Sequence, residues 1–101
     1  MEIKLLAIKV KKDQDGFPME EIQEVEVFAT EKSVTRTELY ESMKAGMTAK
    51  AVYEIRQEDW NEAKEISDDK CVRRVKDEDS TEHDIIRTYK VGKATIELVC
   101  G

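Results

Sequence analysis

His83-Asp84-Ile85-Ile86-Arg87-Thr88-Tyr89-Lys90, then Val91-Gly92-Lys93, then Ala94-Thr95-Ile96-Glu97-Leu98-Val99-Cys100-Gly101 closes the chain. Two β-rich runs flank a short Gly-containing connector, which is the pattern of a hairpin. Alternate side chains of a strand share a face. Ile85, Arg87, Tyr89 and Val91 therefore fall on one side of the first run, and Asp84, Ile86, Thr88 and Lys90 on the other. In the second run Ile96, Leu98 and Cys100 alternate with Thr95, Glu97 and Val99. Neither run has a wholly polar side. A hairpin that is apolar on both faces belongs in a barrel, or its second face meets another subunit.

The segments upstream extend the same pattern. Ile3 to Lys12 reads as a strand, with Leu6, Ile8 and Val10 alternating with Lys9 and Lys11. Asp13-Gln14-Asp15-Gly16 reads as a turn, and the single proline, Pro18, suits a loop or a sheet edge. Glu20 to Ala29 is a second strand, in which Ile22 is out of phase with Val25 and suggests a bulge or a late start. Phe28 sits on its charged side and is expected to turn inward where the barrel closes. Lys50 to Gln57 is a third strand, with Ala51, Tyr53 and Ile55 on one face. Lys70 to Val75 is a short fourth.

Thr35-Arg36-Thr37-Glu38 has the Thr-x-x-Glu form of a capping box, in which the two side chains satisfy each other's backbone amides. Leu39, Tyr40 and Met43 follow on one helical stripe, and Gly46 is placed to end it. A helix from Arg36 to Ala45 is predicted, plugging a barrel end or lying across a sheet. Glu58 to Ser67 is open between loop, single turn and helix, although Trp60, Ala63 and Ile66 have near-helical spacing. The acidic run Asp77-Glu78-Asp79-Ser80-Thr81-Glu82 reads as a mobile loop. The fold class is mainly β: a small β-barrel-like single domain, residues 1–101, with one α-helix at about residues 36–45.

Composition bounds the function. The chain has 101 residues, 40% of them charged, and a net charge of −6. Phosphate binding needs a positive field, so tight nucleic-acid binding is not expected, nor is adhesion to an anionic membrane. No apolar stretch approaches a membrane span, and the charged start is not a secretory signal, which predicts a cytosolic protein. Cys71 and Cys100 are expected to be reduced, inert core residues.

The search for catalytic chemistry is unproductive. His83 and Asp84 are neighbours, but adjacent strand residues point to opposite faces, so His83 is read as a solvated strand-start residue. Asp13-Gln14-Asp15-Gly16 begins like a calcium loop, yet lacks the distal ligands. No metal site, cofactor or catalytic residue is predicted. Arg87 and Tyr89 share a face, either as an Arg stem beside a half-buried ring or as an anchor between subunits.

Three groups of residues, in order, carry a resemblance. They are Asp15-Gly16-Phe17; then Val34-Thr35-Arg36, Glu38, Tyr40-Glu41, Gly46 and Tyr53-Glu54-Ile55-Arg56; then Asp84-Ile85-Ile86-Arg87-Thr88-Tyr89 with Ile96-Glu97-Leu98 and Cys100. This layout resembles the head–tail adaptor, or head-closure, proteins of tailed bacteriophages and prophages. The longer acidic segment Lys76 to Glu82 departs from the compact Gly-Lys turn common in that family.

The resemblance implies a non-enzymatic virion structural protein, made in the host bacterial cytoplasm. It would form a homo-oligomeric ring on assembly, with a free chain that is monomeric. Its partners would be portal or connector proteins and tail proteins, with DNA passing through the ring. The candidate interface residues are Arg36, Tyr40, Arg87, Tyr89, Asp77, Glu78 and Asp79. Basic clusters (Lys9, Lys11 and Lys12; Arg73 and Arg74) and acidic ones (Glu20 and Glu21; Asp77 to Asp79) could meet across a head-to-tail contact. The alternatives are a small β-barrel binding module for nucleic acid or peptide, and a hydrolase or metal-dependent nuclease using the carboxylate clusters.

Overall fold

The alternation of the closing hairpin becomes the wall of the core. In a computed structural model, which describes residues 1–12, 14–44 and 46–101, Ile96, Leu98 and Cys100 are all buried in one cluster with Ile3, Leu5, Ala51, Tyr53 and Ile55. The elements in order are β1 (Glu2–Lys12), β2 (Pro18–Phe28), β3 (Thr30–Lys32), α1 (Arg36–Lys44), β4 (Ala51–Arg56), α2 (Gln57–Ile66), β5 (Arg74–Lys76), β6 (Glu82–Val91) and β7 (Thr95–Cys100). The strands form one seven-stranded sheet in the order β2-β1-β5-β6-β7-β4-β3, and every pairing is antiparallel. The fold is mainly β, as expected.

The end strands β2 and β3 are separated in sequence by Ala29 alone. The chain passes there from pairing with β1 to pairing with β4, and Ala29 exchanges backbone hydrogen bonds of 2.8 and 3.1 Å with Met1. The sheet therefore rolls into a barrel-like shape, although its ladder is not closed.

Two corrections concern the helices. The expectation of a single helix is too low, because Gln57–Ile66 forms a second one. Its Trp60 and Ala63 enter the main core, so α2, and not α1, plugs the barrel. The helix α1 ends at Lys44, and the remaining predicted residue, Ala45, lies outside the described residues, as does Asp13 of the predicted turn. The apolar stripe of α1 faces solvent: Leu39, Tyr40 and Met43 are exposed. The buried side chain of α1 is Ser42, whose hydroxyl donates to the Leu39 carbonyl at 2.8 Å and accepts the Ala49 amide at 3.0 Å.

The second apolar face of the closing hairpin is covered within the chain. Val99 packs with Val52 and Ala49, and Val34 and Ile86 lie against them. A bulge between Ile85 and Arg87 makes this possible. Ile85 pairs opposite Cys100 and packs on the main core, whereas Arg87 pairs opposite Val99 on the outer face. Ile85 and Arg87 therefore do not share a face, because the extra residue reverses the alternation.

The β1–β2 ladder, in contrast, runs unbroken from Glu2↔Phe28 to Lys12↔Pro18, so no bulge occurs at Ile22. Ile22 instead lies opposite Ile8 on the outer face. Phe28 does not turn inward and is 71% exposed. Both cysteines are free; Cys71 is only partly buried, while burial pushes the Cys100 thiol up to about 12.

Candidate functional site

Strand length decides which surfaces protrude. β1 pairs with the short β5 only through Lys4, Leu5 and Leu6. Beyond Leu6, β1 and β2 continue as a two-stranded arm. Residues directly opposite share a face, so Leu6, Ile8, Val10 and Ile22 make an apolar stripe along one side of it. Val10 and Ile22 are exposed. Near the base of the arm, Leu6, Ile8 and Ile22 line a groove of about 270 Å³ with Glu20, Arg73 and Arg74.

The second surface is α1. The Thr35 hydroxyl accepts the Glu38 amide at 3.1 Å, which is one half of the predicted capping box. The other half is replaced. The Glu38 carboxylate does not fold back; it meets Arg87 of β6 at 2.6 Å and ties α1 to the sheet. The approach lacks hydrogen-bond alignment, and Glu38 Oε1, Arg87 Nε and Arg87 Nη2 are buried without a hydrogen-bond partner. The Arg87 guanidinium also lies 5.9 Å from the Tyr89 ring centre. Arg87 is thus used inside the chain, while Tyr89 remains half-exposed. Arg36 and Tyr40 lie on the exposed part of α1, and the Lys44 ammonium sits 4.6 Å from the Tyr40 ring.

The acidic loop is a third surface, and it is built from its own side chains. Asp77 Oδ1 accepts the amides of Asp79 and Thr81, each at 2.9 Å, and its Oδ2 lies 2.8 Å from His83 Nε2. His83 is therefore not a solvated strand-start residue; it is partly buried against Asp77. Glu78 and Asp79 are exposed at the loop tip. Glu78 and Asp77 join Glu2, Lys4, Glu26 and Phe28 around a depression of about 480 Å³. Glu26 beside Glu2 raises the Glu2 carboxyl above its ordinary value, first through a shared hydrogen bond and then through like charge.

His83 is the main cause of an acidic shift at Asp77. Its hydrogen bond, then the Thr81 amide, hold the Asp77 carboxyl below the ordinary carboxylate range. A carboxyl with a lower pKa when folded adds stability that is complete above its unfolded value, near ~3.9, and is lost as pH falls through the folded value. Asp77→Asn should therefore flatten the acid limb of the stability curve below about pH 4. Urea unfolding at stepped pH checks this, and superimposable acid limbs for the two proteins would count against the linkage.

Several charges proposed to meet across copies have partners within the chain. Lys11 pairs with Glu21 at 2.5 Å, Arg74 with Asp84 at 3.1 Å, and Arg73 with Asp69. The candidate residues do not converge on one point: Arg87 and Tyr89 adjoin α1, and the 77–79 loop adjoins Phe28. Sequence reasoning missed Ile22, Phe28 and Glu38. The facing of Ile22 and Ile8 is legible once the β1–β2 register is known, but the outward turn of Phe28 is not.

Among the described residues, no group of three or more His, Cys, Asp and Glu is arranged to hold a metal ion. No helix among them is long and apolar enough to cross a membrane. Comparison with known proteins finds no matching family model, no similar curated protein and no similar solved structure.

Proposed function

We propose that this protein is a ring-forming adaptor of a tailed-phage virion, joining the portal or connector to the tail. One observation supports the reading most. A single barrel-like body presents two exposed apolar surfaces on different elements: the β1–β2 arm with Val10 and Ile22 on one face, and α1 with Leu39, Tyr40 and Met43. An adaptor must hold two unlike neighbours, and exposed apolar groups rimmed by charge are the usual form of such contacts. The resemblance in residue order adds the phage context.

In this reading the free chain is made in the host bacterial cytoplasm and becomes part of the virion on assembly. The excess of acids leaves the subunit repelled by DNA, so that duplex slides through the ring without sticking. The test is co-sedimentation with portal-containing capsids and, separately, with tails. Wild type should bind both. Val10→Glu on the arm and Met43→Glu on α1 should each abolish one attachment and spare the other. A chain that joins neither particle is not an adaptor.

A further inference from the structure

β1 and β2 share a hairpin but differ at their outer edges. Ala29 and Met1 exchange both backbone hydrogen bonds. In an antiparallel ladder such pairs alternate with pairs that point away. Counting back from Ala29, the backbone groups of Val27, Val25, Gln23 and Glu21 face β1, and those of Glu26, Glu24, Ile22 and Glu20 face outward.

On β1 the corresponding outward groups are blocked. Asp68 accepts the Val10 amide at 2.5 Å, and its own amide donates to the Ile8 carbonyl at 3.0 Å. The Ser67 hydroxyl also donates to that carbonyl at 3.3 Å. On β2, no ladder partner meets Glu20 to Glu26 on this side among the described residues.

β6 offers a second open edge. β5 pairs only with its first residues, Glu82 to Asp84, and the Ile85 amide is taken by the Arg73 carbonyl. From Arg87 to Val91 β6 pairs with β7 alone among the described residues. The two open edges carry opposite charge. β2 bears Glu20, Glu21, Glu24 and Glu26 and no basic residue; Glu21 is paired with Lys11, and Glu24 with Lys4 and Lys76, which leaves Glu20 and Glu26 as its acids without a basic partner among the described residues. Residues 85–94 bear no acid and three basic residues, of which Arg87 is paired with Glu38 while Lys90 and Lys93 are exposed.

We infer that copies of this chain join by β-strand addition, the β2 edge of one subunit pairing with the β6 edge of the next. The partner is a second copy of this chain, and the contact continues one rolled sheet into another. Backbone pairing supplies adhesion, and charge supplies choice. The acidic β2 edge disfavours pairing with another β2, and so a closed two-fold dimer, and it admits the basic β6. Ile22 and Tyr89, both exposed, are the apolar anchors along the two edges. Because the two edges are different surfaces, the contact is head-to-tail, the type that closes into a ring.

This inference rests on the ring reading above. The test is oxidative cross-linking of double-cysteine variants in a Cys71→Ser background. Ile22→Cys is combined in turn with Thr88→Cys, Tyr89→Cys and Lys90→Cys, which covers alternative registers. At high protein concentration, or on a portal template, at least one pair should yield a ladder of dimer, trimer and higher bands. Adding Lys90→Glu with Lys93→Glu to a laddering Thr88→Cys or Tyr89→Cys pair should remove the higher bands, and Glu20→Lys should restore them. No ladder from any pair, or dimers from Ile22→Cys alone, overturns the inference. Particles that incorporate the protein without laddering refute this contact but not the adaptor role. Ladders without incorporation do the reverse.

Discussion

Trp60→Ala should destabilise the protein by about 3–5 kcal/mol. Trp60 is the single tryptophan, and it is 7% exposed in the main core, where it stands on α2 with the fully buried Ala63. Removing the indole leaves a void that neighbouring β-strands cannot fill, because their positions are fixed by ladders on both sides. A domain of this size has a total stability of roughly 5–15 kcal/mol, so the loss is a large fraction of it. It corresponds to a fall in Tm of more than about 12 °C at the usual 4–8 °C per kcal/mol. The measurement is thermal and urea unfolding followed by circular dichroism, since the variant has no tryptophan fluorescence. Glu62→Ala, on the solvent side of α2, should shift stability by less than about 0.5 kcal/mol. If Trp60→Ala behaves like Glu62→Ala, α2 is not docked in the barrel.

That helix shows where local sequence signals run out. Trp60, Ala63 and Ile66 recur at helical spacing, and Glu58 and Asp59 stand in the first turn, where acids suit the helix dipole. The start signal is missing: the cap position is Arg56, which makes no side-chain cap hydrogen bond. Arg56 instead clamps Asp59 through two contacts of 3.2 Å. The helix is held by packing of two side chains into a core made by distant strands, and no window of ten residues contains that information. α1 is the reverse case. Thr35 caps it as its sequence predicts, yet its apolar stripe points to solvent, because the barrel end was already filled by α2.

The strands divide in the same way. The alternation of Ile96, Leu98 and Cys100 was readable because β7 is central and flanked by β6 and β4, so one face must be buried along its whole length. β6 obeyed the alternation only beyond its bulge, and a one-residue insertion in a ladder leaves no mark in composition. The two open edges were invisible for a related reason. Openness depends on how far β5 reaches beside β1 and β6, which is a property of the neighbour and not of the strand itself.

Arg87→Met should cost about 1–3 kcal/mol, and the loss should largely vanish when Glu38→Leu is added. Glu38 is 15% exposed and Arg87 32%, so the pair is too sheltered for water to replace a missing partner fully, yet not sealed. Removing Arg87 alone leaves a carboxylate with little hydration beneath α1, whereas removing both leaves an apolar contact near Val99 and Val52. The three atoms that already lack hydrogen bonds make the native pair a weak contributor, which is why the double variant is expected within about 1 kcal/mol of wild type. The coupling energy from the cycle should therefore be at least about 1 kcal/mol. It should change little with salt, since a partly buried pair is screened less than an exposed one. The functional consequence separates from the stability one. Glu38 and Arg87 fix α1 over β6, and so set the spacing between the Tyr40–Met43 surface and the Tyr89 edge. If the protein is the adaptor proposed above, a double variant that is as stable as wild type should still bind its α1-side neighbour less well, because the tie that orients the helix is gone. Equal stability with unchanged binding would show that packing by Val34 and Ala49 alone holds α1 in register.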